Sequence, residues 1–271
     1  MDIRKNCIHV IGAEGFIGKN IQSFYTENNL IKWSHSTKEY NFDIYDQSSW
    51  EMLFNSNPQK ILFLSWPGLP NYDSTLHLVK NLPAMINFFE ELVRRDVKRI
   101  VVTGTCYEYG SLTGKLSENF HAEPINKYAI AKNTLRQVLQ NLCHANNVSF
   151  AWARLFYPYG KFQNPKSLIP SLIRAIKNKE KFFTIGAGDQ IRDFISIEKV
   201  VNYLLFLVNN KENEGIFNIG SGKPTSIKSL VNEIVENENS NISILENLDK
   251  KRKNEPQEFW ADMTKLNNLY K

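Results

Sequence analysis

Three glycines with the spacing Gly12-x-x-Gly15-x-x-Gly18 follow the apolar run 7–11 and lead into the helical pattern 16–28. Few features constrain a fold as tightly as a strand that turns on glycines into a helix. A glycine at the strand end permits the tight turn. A second lets the backbone approach a pyrophosphate, and a third lets helix and strand pack closely. The helix N-terminus then offers free N–H groups and a partial positive charge to phosphates. Gly12, Gly15 and Gly18, with Phe16 and Ile17 opening the helix, are thus predicted to bind a dinucleotide.

The rest of the first half repeats this unit. Apolar, β-branched or aromatic runs at 31–34, 61–65, 100–103 and 150–154 alternate with helical patterns at 48–55, 81–96 and 127–146. Near-continuous apolar strands are those covered on both faces, and strand–helix alternation at this spacing builds βαβ units. The fold class is α/β, a doubly wound parallel sheet of the Rossmann type. After Arg154 the rhythm changes. Residues 156–165 read as loop, 167–178 as a helix with Pro170 in its first turn, 198–209 as a helix and 216–219 as a strand. A helix at 226–236, a strand at 240–245 and a helix at 264–270 complete the pattern. A cofactor-binding domain over 1–165, joined by 190–220, is expected to carry a small C-terminal α/β substrate lobe made of 166–189 and 221–271.

Bulk properties narrow the class. At 271 residues, 42% hydrophobic and 23% charged, the chain suits one large core with a smaller lobe. No apolar run reaches the roughly 18 residues of a membrane span, and no charged-then-apolar leader precedes the first strand. The three cysteines, Cys7, Cys106 and Cys143, are widely spaced and lack a CxxC pair. This argues against a disulfide framework or a metal site, and a cytoplasmic location is expected. The net charge of +5 is ordinary for solvated lysines, and Lys250-Lys251-Arg252-Lys253 lacks the interleaved aromatics of a nucleic-acid stripe.

Tyr128-Ala-Ile-Ala-Lys132 lies on a helical segment, where an i,i+4 pair shares one face. A tyrosine near pKa 10 is a poor acid or base at neutral pH, and a nearby ammonium, with the positive charge of an oxidised nicotinamide, is expected to lower it. Such a phenol can exchange a proton with an alcohol or ketone. Together with the GxxGxxG turn, this pair resembles the extended short-chain dehydrogenases, the NAD-dependent epimerase/dehydratase family, over about residues 8–265. The resemblance implies that Thr105 holds the substrate oxygen, Tyr128 moves the proton, and Lys132 tunes Tyr128 and holds the nicotinamide ribose. It further implies cofactor contacts from Asp43 and Ile44 at the adenine and from Ser65 and Trp66 at the end of the strand 61–65. Asn81, Thr103 and Phe156, with Tyr128 and Lys132 themselves, complete that cofactor set. Trp66 stands where the family has a small residue.

Departures from the family pattern bear on the reaction. Family dehydratases carry Asp-Glu after this threonine, whereas here the pair is Cys106-Tyr107, so elimination of water is not expected. Cys106 is read as a small packed residue at the substrate side, and Glu108 either points to substrate or satisfies a backbone group. The run GTCYEYG is similar to reductases of nucleotide-linked 4-keto-6-deoxy sugars. A 4-epimerase holding NAD is the alternative, and a non-catalytic NAD(P)-sensing protein is a third reading. Ser34, His35 and Ser36 follow the second strand with no acidic residue among them, which favours NADP(H), with NAD(H) the alternative. Tyr107 and Tyr157 are expected to line the substrate site. The resemblance also implies that Arg192, followed by Asp193-Phe194, and Arg252, eight residues before Trp260, bind the diphosphate of a nucleotide sugar, a task suited to a planar, permanently charged group. The wide apolar stripe of 81–96, beside 127–143, fits either a homodimer contact or burial on two sides within one chain.

Overall fold

The computed structural model describes residues 7–24, 29–36, 40–247 and 256–270. In chain order the first half comprises β1 (Ile8–Ile11), α1 (Phe16–Phe24), β2 (Leu30–Trp33), α2 (Trp50–Asn55) and β3 (Lys60–Phe63). It continues with α3 (Leu82–Arg94), β4 (Arg99–Thr105), β5 (Gly114–Leu116), α4 (Lys127–Ala145) and β6 (Ser149–Leu155). The second half contains β7 (Tyr157–Tyr159), α5 (Leu168–Lys177), β8 (Phe182–Ile185), β9 (Ile191–Arg192), β10 (Phe194–Ser196) and α6 (Ile197–Asn209). β11 (Gly215–Ile219), β12 (Thr225–Ser226), α7 (Ile227–Asn237), β13 (Ser243–Glu246), β14 (Phe259–Ala261) and α8 (Thr264–Leu269) follow.

Six strands form one parallel sheet in the order β2-β1-β3-β4-β6-β11. The chain leaves β1 toward one edge for β2 and then crosses to the other side for β3. The carboxyl end of β1 is therefore a topological switch point, where such sheets open a crevice. Both faces are covered, as the continuous apolar strands require. On one face Ile8, Val10, Leu62 and Val101 pack under α6 through Val200, Val201 and Leu204. On the other, Ile11, Phe63, Ile100 and Val102 pack under Phe88, Phe89, Leu135 and Leu139 of α3 and α4. Phe88 alone lies within ring contact of Phe42, Trp50, Phe54, Phe63 and Phe89, at 5.1–5.9 Å between centroids. Burying such a ring stabilises the fold by about 2–3 kcal/mol. Five residues of the apolar stripe of α3, Met85, Phe88, Phe89, Leu92 and Val93, are buried within the chain.

Beyond the sheet, β8 and β13 pair in parallel, and α5 and α7 close over them through Leu172, Ile185 and Val231. Ser226 caps α7 by accepting from the Ser229 amide at 3.0 Å. Three sequence readings need correction. The segment 156–165 is not all loop, because Tyr157–Tyr159 pairs with Phe194–Ser196 through backbone groups that a Tyr-Pro-Tyr run does not advertise. The strand expected at 61–65 ends at Phe63, so Ser65 and Trp66 lie on the loop beyond it. The helix expected from residue 81 is entered through a π-helical turn, His77–Asn81. The end of the helix expected at 16–28 falls outside the described residues. Among the described residues no helix is long and apolar enough to cross a membrane.

Candidate active site

The glycine turn shows which of its glycines the chain itself demands. Gly12 has φ +88°, and a Cβ there would stand 2.9 Å from the Ser65 amide nitrogen. Backbone conformation and the approach of the loop after β3 thus both require glycine. A Cβ on Gly18 would overlap the Ala13 backbone, so α1 could not pack down. Gly15 is different. It is exposed, and a Cβ would meet only the Gly12 carbonyl, at 3.3 Å. The space above Gly15, at the start of α1, suits a group that must approach the backbone closely, as a pyrophosphate does. The residues present therefore fit a dinucleotide.

Ser34 is buried and its hydroxyl lies 3.0 Å from that of Ser36, while His35 and Ser36 are exposed. Asp43 accepts from the Tyr45 amide at 2.9 Å, and Ile44 is packed in the core. Ser65 touches Gly12, and the next residue, Trp66, meets the Tyr128 ring edge-on at 5.6 Å. The glycine turn and the tyrosine are thus linked through two consecutive residues.

Asn126 starts α4 by accepting from the Ala129 amide at 2.8 Å, and the Tyr72 carbonyl accepts from the Tyr128 amide at 2.9 Å. With its first turn fixed, the helix presents Tyr128 and Lys132 to the end of β4. Thr105 is the last residue of β4 and caps a short 3-10 turn, accepting from the Tyr107 amide at 3.3 Å. Its side chain stands close enough to Tyr128 to work against the rise of that phenol. Lys132 Nζ donates to the Thr103 carbonyl at 2.7 Å. The three expected catalytic residues are therefore together.

Their electrostatics differ from the sequence expectation. Burial pushes the Tyr128 phenol well above its ordinary value, reinforced by Tyr72, Glu108 and Cys106 and opposed by the Thr105 side chain. Burial also brings the Lys132 amine down to about 7, against the pull of Glu108. Within the chain alone the direction is thus upward, and the expected lowering would have to come from the charge of a bound oxidised nicotinamide. Desolvation acts on both groups and favours both neutral forms.

Glu108, left open by the sequence, turns inward. It is fully buried, accepts from the Thr105 amide at 2.9 Å and the Trp152 indole at 2.9 Å, and pairs with Arg154 Nε at 2.7 Å. Burial works against the Arg154 guanidinium, yet Glu108 and Tyr109 hold it above its ordinary value. Cys106 is buried, as read.

Toward the small lobe, the Tyr157 hydroxyl lies 3.4 Å from that of Tyr107 and accepts from Arg192 Nε at 3.1 Å. Tyr107, Tyr157 and Arg192 therefore form one line. Arg192 is buried, with Nη1 donating to the Ile191 and Gln257 carbonyls at 2.8 and 3.1 Å, and its guanidinium lies over Phe259. Two residues of the expected cofactor set are engaged within the chain. Phe156 is packed in the core against Tyr109 and Phe259. Asn81 is buried with its amide bound to Pro67, His77 and Tyr45. Arg252 lies outside the described residues. Sequence reasoning missed Asp193, which is buried and accepts from the Ser221 and Gly222 amides at 2.6 and 2.9 Å and from the Ala261 amide at 3.1 Å. Its signal was an acid directly after Arg192, followed by Gly-Ser-Gly downstream.

Residues 8–220 match the model of the NAD dependent epimerase/dehydratase family. The chain belongs to that family. Among curated relatives, a dTDP-6-deoxy-L-talose 4-dehydrogenase (NAD(+)) of Aggregatibacter actinomycetemcomitans is 26% identical over 94% of this chain and 98% of its own. A dTDP-4-dehydro-6-deoxyglucose reductase of Escherichia coli is 26% identical over 86% and 82%. Among solved structures, RMD from Pseudomonas aeruginosa complexed with NADPH has a TM-score of 0.85 at 19% identity, covering 97% of this chain and 92% of that one. MoeE5 in complex with UDP-glucuronic acid and NAD has a TM-score of 0.83 at 23% identity, with the same coverage. These likenesses place the fold among the Rossmann-type members of the family.

Proposed function

We propose that this protein is a nucleotide-sugar reductase that reduces a keto group, at C4 of a 6-deoxy hexose, with a nicotinamide cofactor. The observation that carries the reading is the gathering of Thr105, buried Tyr128 and Lys132 at the end of β4, with Lys132, one helical turn behind Tyr128, donating to the Thr103 carbonyl at 2.7 Å. Thr105 and Tyr128 hold the carbonyl oxygen, and the phenol, neutral at physiological pH, gives its proton to the oxygen as it becomes an alcohol. The bound cofactor supplies hydride. Gly15 and the start of α1 would hold its pyrophosphate, and Lys132 its ribose. The nucleotide sugar lies along Tyr107, Tyr157 and Arg192, with Arg252 also on its diphosphate. The chain acts in the cytoplasm as a homodimer through the outer faces of α3 and α4.

Removal of water needs a second acid–base pair beside the sugar. The one carboxylate in the turn after Thr105, Glu108, is locked in an ion pair. The 6-deoxy relatives named above support the sugar class. Exposed Ser36 and His35, with no carboxylate among residues 34–36, favour NADP(H) over NAD(H).

The test is oxidation of NADPH and NADH with a panel of 4-keto-6-deoxy and unmodified nucleotide sugars. Consumption of reduced cofactor with a 4-keto-6-deoxy member, faster with NADPH, is expected. A preference for NADPH that survives Ser36→Asp would sink the place given to Ser36 at the 2′-phosphate, and faster oxidation of NADH by the parent chain would sink NADP(H). Interconversion of epimers without net redox would replace reduction by 4-epimerisation. Cofactor binding with no turnover of any member would leave a sensing role instead.

A further inference from the structure

The loop between β3 and α3 reaches the site through two rings that the reaction above gives no task. His77 and Asn81 stand at the two ends of the π-helical turn, and Asn81 Nδ2 lies 3.4 Å from His77 Nδ1. Asn81 Nδ2 also donates to the Pro67 carbonyl at 2.8 Å, which fixes the backbone next to Trp66. The Trp66 indole N–H donates to His77 Nδ1 at 3.2 Å, while His77 Nε2 lies 2.7 Å from the Asn71 carbonyl. An indole only donates and a carbonyl only accepts, so Nδ1 carries no proton and Nε2 does. Loop and helix thus fix the tautomer of one buried ring, and that ring fixes the indole.

The indole held in this way covers the catalytic pair. Lys132 Nζ stands 4.3 Å from the centre of the Trp66 ring, and Lys132 is 2% exposed. Tyr128 meets the same indole edge-on and the His77 ring at 5.5 Å. An aromatic face attracts an ammonium but does not replace its water, so a wall of this kind leaves the amine poorly solvated. Of the other titratable groups around the amine, Glu108 lies on the turn after β4 and Tyr128 on its own helix.

We propose that His77 and Asn81 are positioning residues that clamp the Trp66 indole over Lys132, making Trp66 the wall that keeps water from the catalytic pair. This rests on Tyr128 and Lys132 being the acid–base pair, but the clamp is measurable without turnover.

The first measurement is solvent exchange of the Trp66 indole proton in the cofactor-free full chain, its resonance assigned by loss in Trp66→Phe. Exchange is expected to quicken by about tenfold in His77→Phe, the loss of one hydrogen bond. It should stay slow in His77→Asn, whose amide oxygen can take the place of Nδ1. The second is the titration of Lys132 followed with 13C-labelled lysine. Its midpoint, about 7 in the parent chain, is expected to rise by about one unit or more in Trp66→Ala and His77→Phe as water reaches the amine. It should hold in His77→Asn. The pH profile of kcat/KM should shift with it. A Lys132 midpoint unmoved in Trp66→Ala and His77→Phe, with both variants folded by circular dichroism, overturns the clamp. If the titration shifts as expected but no nucleotide sugar is turned over, the clamp stands and the proposed function falls. The opposite pairing of results removes the clamp alone.

Discussion

The two ends of β4 each bury a cation, and the contrast between them separates scaffold from chemistry. At the start of the strand, Arg99 donates to the Leu207 carbonyl at 2.7 Å, the Asn213 carbonyl at 2.8 Å and the Ser149 hydroxyl at 2.7 Å. Burial lowers the guanidinium to about 10, with Glu214 and Glu212 pulling it back up, so it stays charged at neutral pH. At the other end, Lys132 donates to Thr103 under an indole, and its amine lies at about 7. Similar burial thus produces a permanent brace in one place and a group balanced between two protonation states in the other. The difference lies in the guanidinium's higher ordinary value, 12.5 against 10.5, and in the two carboxylates that pull Arg99 back up where Lys132 has Glu108, and perturbed groups at a crevice mark a site.

The sharpest attempt to break this contrast removes the proposed proton donor beside Lys132. Tyr128→Phe is expected to cut turnover by about 10²–10⁴-fold while cofactor binding and melting temperature hold, measured by steady-state kinetics and calorimetry. Glu108→Gln should act on the scaffold instead. It leaves the buried Arg154 charge uncompensated, so a loss of about 3–5 kcal/mol in denaturant unfolding is expected. Arg99→Met tests the brace alone. Stranding the Leu207 and Asn213 carbonyls should cost about 2–4 kcal/mol by the same measurement, with kcat in the surviving native protein unchanged. A fall in kcat there would erase the distinction between the two ends.

The most gradual effect sharpens it. Between about 7 and the ordinary 10.5 the unfolded chain holds a proton on Lys132 that the folded chain does not. Stability should therefore rise with pH across that window, by up to about 1.4 kcal/mol per unit. Below pH 7 both states are protonated and this contribution flattens. The slope should vanish in Lys132→Met and persist in Arg99→Met, since Arg99 titrates only near 10 and above.

What the sequence disclosed divides along the same line. The glycine turn, the six parallel strands and the Tyr128–Lys132 pair were legible because each leaves a local pattern: a spacing, an apolar run, an i,i+4 repeat. The pairing of β7 with β10 was hidden, since Tyr157-Pro158-Tyr159 is ordered by Phe194–Ser196 across a long stretch of chain. Burial set the sign of the Tyr128 shift, and sequence shows neighbours but not desolvation. The bond between Trp66 and His77 spans a loop without periodicity. Its one trace is the spacing of His77 and Asn81 just before a helix.

Glu108 has a further consequence, because one carboxylate joins the amide of Thr105 to Trp152 and Arg154 on β6. The position of the Thr105 hydroxyl, proposed to hold the substrate oxygen, is thereby tied to the register of two neighbouring strands. Sequences drifting at 105, 108, 152 or 154 should change at these sites in concert, and a double-mutant cycle between Glu108 and Arg154 should be strongly non-additive. Redesign of this pocket therefore has to treat the four positions as a single inherited unit.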